Sequence, residues 1–89
     1  MSWRMDVSKE AEKFLVGNKI PIEEVKVRIS KAIRYFQGEG INIDIKKLRG
    51  GWKGFYRIRS GRMRIIAEFN FDDSVVFVER VDWRGNIYK

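Results

Sequence analysis

Apolar side chains at Trp3, Met5 and Val7 alternate with polar Arg4 and Asp6, the period of two that predicts a short half-buried strand. Ser8 can cap a following helix, with Glu10 and Glu12 at the positive end of its dipole and Gly17-Asn18 as a stop; that helix buries Ala11, Phe14 and Leu15. Pro21 suits the first turn of a second helix, where its missing N–H would have no partner in any case. From there Val25, Ile29, Ala32, Ile33 and Phe36 form one apolar stripe of helical period, with Lys26, Lys31 and Arg34 off it. Gly38 and Gly40 end the helix. Ile41, Ile43 and Ile45 then alternate with Asn42, Asp44 and Lys46 in an extended segment leading to the Gly50-Gly51 break.

The remainder reads as an antiparallel meander. Strands are predicted over 55–59, 62–71 and 75–81, joined by a tight Ser60-Gly61 hairpin and by an Asp72-Asp73-Ser74 turn. Parity places Tyr56 and Ile58 on one face and Arg57 and Arg59 on the other. Met63, Ile65, Ala67 and Phe69 likewise face away from Arg62, Arg64, Ile66 and Glu68. If the apolar faces meet the helices, Arg57, Arg59 and Arg64 converge on the open side of the sheet. The last strand is apolar at nearly every position through Val78, which suits an interior strand and leaves its facing ambiguous. The expected fold is α+β, with two helices packed on a C-terminal antiparallel sheet in the order β-α-α-β-β-β.

A chain of 89 residues supports one core, so residues 1–89 are expected to form a single domain. With no Cys there are no disulfides, thiolate nucleophiles or zinc ribbons, and with no His the usual general base and metal ligand are missing. No apolar run approaches a membrane span. The first residues lack the core of a secretory leader, so a cytoplasmic location away from membranes is expected.

Charge changes the picture most. The net charge is +7, yet residues 1–45 hold 8 basic and 7 acidic side chains, whereas residues 46–89 hold 11 and 5. Lys46, Lys47, Arg49, Lys53, Arg57, Arg59, Arg62 and Arg64 follow one another with no acidic residue between. A polyanion is the natural partner of such a run, the alternative being a solvated face that only aids solubility. Trp52 and Trp83 are candidate stacking platforms for bases, or else cover for the core.

The stretches KLRGGWKGFYRIRSGRMRIIAEF (47–69) and VVFVERVDWRGNIYK (75–89) closely resemble the RelE/ParE superfamily of toxins from toxin–antitoxin pairs, on the RelE-like side. The resemblance implies the fold order just derived and a ribonuclease acting on mRNA, commonly in the ribosomal A site, neutralised by a cognate antitoxin and needing neither metal nor other cofactor. It implicates Arg57, Arg59, Arg64, Arg84 and Tyr88 as catalytic residues, while the basic run and the two tryptophans make Lys46, Lys47, Arg49, Trp52, Lys53, Arg62 and Trp83 the expected RNA-binding ones. The implied chemistry is attack of a ribose 2′-OH on the adjacent phosphate. Arginines suit the phosphate clamp because their planar forks bind phosphate bidentately. They do not suit the proton acceptor, and matching family positions are often lysines; Tyr88, Glu68 or Lys53 is left for that role, with Tyr88 favoured. Trp83 stands where many relatives carry His. A ParE-like gyrase inhibitor and a catalytically silent RNA-binding member of the superfamily are the alternative readings.

Overall fold

The computed structural model describes residues 3–83. In chain order the elements are β1 (Arg4–Val7), α1 (Lys9–Gly17), α2 (Ile22–Phe36), β2 (Asp44–Lys47), a 3-10 turn (Gly50–Trp52), β3 (Phe55–Ser60), β4 (Met63–Asn70) and β5 (Val75–Trp83). The strands form one mixed sheet in the order β1-β5-β4-β3-β2, with β1 parallel to β5 and the other pairs antiparallel. The expected α+β architecture stands. The extended segment before Gly50 adds one strand to it, because its alternation lets it pair along the free edge of β3.

Ser8 caps α1 as expected, its Oγ accepting from the Ala11 N–H at 3.0 Å. The same hydroxyl donates to the Glu79 carbonyl of β5 at 2.7 Å, tying the helix start to the sheet. Pro21 sits immediately before α2, in extended conformation, rather than inside its first turn. The α2 stripe is buried at Val25, Ile29 and Ala32 and packs, with Ala11 and Leu15 of α1, on Ile58, Met63, Ile65, Ala67, Phe69, Val76, Val78 and Val81. Phe36 meets Tyr56, Phe69 and Phe71 edge-on, with ring centroids 5.0 to 5.2 Å apart, a geometry that adds to burial through ring quadrupoles.

Two local features set which side chains share a face. The β3–β4 hairpin turns at Gly61-Arg62, one residue later than the Ser60-Gly61 turn expected, since Ser60 pairs with Met63. Gly61 has φ +60, and glycine at the first central position supplies the positive φ that a primed hairpin turn requires. The shift does not disturb the expected parity. In β5 the ladder to β4 slips between Ile66 and Ala67: Ile66 pairs with Arg80 and Ala67 with Val78, leaving Glu79 as the extra residue of a bulge. The bulge allows Val76, Val78 and Val81 all to face the helices and resolves the ambiguity of this strand. No helix among the described residues is long and apolar enough to cross a membrane.

Candidate nucleic-acid interface

The face of the sheet opposite the helices brings β2, β3 and β4 side by side. Asp44 of β2 pairs with Arg59 of β3, and Lys46 with Arg57; across the next ladder Arg59 pairs with Arg64 and Arg57 with Ile66. Directly opposed residues project from the same face with Cβ atoms about 4.5–5.5 Å apart. Arg57, Arg59 and Arg64 therefore do converge.

They do so around a carboxylate. Arg57 Nη2 lies 3.4 Å from Asp44 Oδ1 and Arg59 Nε lies 3.5 Å from Asp44 Oδ2. Arginine and carboxylate held at optimal hydrogen-bond length come closer, at about 2.7–2.9 Å, so these contacts are loose. Asp44 is half exposed, Arg59 somewhat less, and Arg57 mostly buried. Arg57 Nε is buried with no partner among the described residues, an orphan donor of a kind that folded proteins rarely retain without use.

Arg64 departs from its expected surface role. It retains only 6% of its exposure and donates through Nη1 to the Gly61 carbonyl at 3.2 Å. Its cross-strand neighbours are Arg59 and Asp82, and Ile66, two residues on along the same face, is fully buried as well. The parity is as read from the sequence, but this part of the face is not open, and Arg64 is part of the packing.

The other basic positions divide into two groups. Lys46, Lys47, Arg49 and Trp52, with Leu48, line a shallow hollow of about 520 Å³ at the β2 edge. Trp52 stands edge-on to Phe55 at 5.4 Å, half buried, with Lys53 exposed just beyond it. This group is contiguous with Arg57 through the Lys46 pairing. Arg62 and Trp83 lie elsewhere. Trp83 pairs with Met63 on the helix side, packs edge-on against Phe14 at 5.3 Å, and directs its indole N–H to Asn18 at 3.4 Å. The Arg62 guanidinium lies over that indole, 5.9 Å from the ring centroid. Both are thus removed from the arginine face, because the bulge at Glu79 and the β4–β5 register direct Trp83 toward α1. Of the remaining residues singled out, Glu68 pairs with Phe55 and helps line a separate hollow with Arg4, Asn70 and Asp73, away from Asp44. Arg84 and Tyr88 lie outside the described residues.

Asp44 is the participant that sequence reasoning passed over. It appeared only as one polar position in an alternating segment. Its place in that alternation, on the parity of Lys46, was the available signal, but its partner depended on the β2–β3 register.

No family model and no curated protein matches the sequence. Solved structures do. A chain of the RelB–RelE antitoxin–toxin complex of Methanococcus jannaschii is 30% identical, with 89% of each chain covered and a TM-score of 0.56. A chain of the archaeal RelE–RelB complex of Pyrococcus horikoshii is 24% identical, with 97% of this chain and 99% of that one covered and a TM-score of 0.57. A conserved hypothetical protein of Helicobacter pylori is 16% identical but superposes with a TM-score of 0.68 over 93% of this chain and 96% of its own. Fold, strand order and a basic sheet face in one small α+β chain define a protein of the toxin class found in these pairs. The chain belongs to the RelE-like toxins.

Proposed function

We propose that this toxin is a metal-independent endoribonuclease that cuts mRNA, held on the ribosome, by attack of a ribose 2′-OH on the neighbouring phosphate. The observation that carries the reading is the placement of Arg57 and Arg59 side by side on one sheet face, with the buried Arg64 next to Arg59 adding fixed positive charge behind them. Guanidinium forks aimed at a phosphate stabilise the charge that gathers on its non-bridging oxygens, and such donors are worth about 3–4 kcal/mol each in the transition state. Lys46, Lys47, Arg49 and Lys53 extend the positive field along the strand edge, and Trp52 offers a ring on which a base can stack. Arg84 and Tyr88 complete the proposed set by resemblance, as a donor to the leaving group and a stacking or proton-carrying phenol.

The partner in the resting state is a cognate antitoxin. The Methanococcus jannaschii and Pyrococcus horikoshii neighbours come from RelB–RelE complexes, and the one-sided basic charge suits a chain that brings acidic side chains to this face. The deciding experiment incubates the purified protein with ribosomes translating a defined mRNA and maps new 5′ ends. Cuts that vanish in Arg59→Ala support the reading. Intact mRNA together with blocked gyrase supercoiling would overturn it in favour of a gyrase inhibitor.

A further inference from the structure

Cleavage through the 2′-OH needs a proton acceptor, and no guanidinium can serve as one at neutral pH. Asp44 is the carboxylate in contact with both Arg57 and Arg59. The other carboxylates placed on this face by register are engaged or distant; Asp6, on the far edge strand, is paired with Arg4 at 3.2 Å. Asp82, opposite Arg64, accepts the Trp83 backbone N–H at 2.7 Å, and Glu68 lies toward the opposite end of β3, against Gly54.

Asp44 is also accessible. It lines a hollow of about 230 Å³ together with Arg28, Lys31, Asn42, Arg59 and Ser60, a polar and net-positive wall beside the arginine pair. Its two contacts are long, its side chain is 54% exposed and that of Arg59 is 38% exposed, so an arriving phosphate can take over the Arg59 donor without dismantling packed structure. That exchange would leave a carboxylate oxygen beside the ribose of the same nucleotide.

From this juxtaposition we infer that Asp44 is the general base of the reaction, and the inference rests on the nuclease reading above. Its carboxylate takes the proton of the 2′-OH while the 2′-oxygen bonds to phosphorus. The P–O5′ bond breaks with its electron pair on the 5′-oxygen, which takes a proton from solvent. The products are a 2′,3′-cyclic phosphate and a 5′-OH fragment, and Asp44 returns its proton to water.

The assignment separates from a purely electrostatic role by the sign of two measurements. Asp44→Asn keeps the shape and removes the proton-accepting charge. It is expected to slow cleavage of programmed ribosomes by about 10²–10⁴-fold, the usual contribution of a general base, while binding a short RNA oligonucleotide as tightly as wild type or more so. Asp44→Glu, which restores the carboxylate, is expected to recover part of the rate. If Asp44 were only an internal counter-ion competing with RNA, Asp44→Asn would bind more tightly and also cut at least as fast, which overturns the assignment. Loss of binding and cleavage together in Asp44→Asn overturns it too, in favour of a structural role. A wild type that cuts no mRNA sinks the nuclease reading itself, and the base with it; a wild type that cuts alongside an unimpaired Asp44→Asn sinks the base alone.

Discussion

Asp44 and Arg59 face each other directly across the β2–β3 ladder, and the Arg59 Nε stands 3.5 Å from the Asp44 carboxylate. The pair is exposed and loosely made, so its worth to the fold is about 0–1 kcal/mol. Arg59→Ala should therefore melt within a few degrees of wild type. Cleavage should fall by about 10²–10³-fold, the effect of removing one donor to a developing oxyanion. Thermal unfolding and a single-turnover assay on the same preparation check both halves.

Arg64→Ala should behave differently. Its guanidinium is nearly buried and donates to the Gly61 carbonyl at the hairpin turn. Truncation is expected to cost about 1–3 kcal/mol of stability as well as activity, because a buried hydrogen-bonded group is lost and its partner stranded. At about 4–8 °C per kcal/mol for a domain of this size, the loss would be plain in a melting curve. An unchanged melting temperature would contradict the buried placement of this residue.

The tryptophans provide an internal contrast. Trp83 packs on Phe14 and carries the Arg62 guanidinium. Trp83→Ala should cost about 2–4 kcal/mol of stability, a little under the loss from a fully buried ring, and leave RNA affinity unchanged in the folded fraction. Trp52→Ala should do the reverse, weakening RNA binding by about 1–3 kcal/mol with little loss of stability. Fluorescence anisotropy with a labelled oligonucleotide, set beside urea denaturation, distinguishes the two positions.

RNA affinity should fall with salt. On single strands the log–log slope is about −0.7 for each phosphate contacted. Replacing Lys46 and Lys47, which border the β2-edge hollow, by Gln should flatten the slope by up to about 1.4. A titration series from low to physiological salt reads this directly, and an unchanged slope would remove the edge from the binding surface.

Most of the architecture was legible in the sequence because periodicity and capping are local. The stripe from Val25 to Phe36 could only be a helix lying on a core, and the alternations in β3 and β4 already divided Ile58 and Ile65 from Arg57 and Arg59. Less local features were not legible. The 41–46 segment looked extended but gave no sign of which edge it would join, and a strand without a partner fixes no neighbours. Local pattern alone does not place the hairpin to the residue, because Ser60-Gly61 and Gly61-Arg62 are both acceptable turns, and strand pairing chooses between them.

What the sequence determined by itself was the class of fold and the parity of the arginines, since both follow from side-chain periods within single elements. Tertiary structure alone decided that Asp44 meets Arg57 and Arg59, that Arg64 is buried, and that Trp83 turns toward α1. The reason is physical. Cross-strand register and the bulge at Glu79 are collective properties of the assembled sheet, and a shift of one residue in either exchanges the two faces for every side chain that follows.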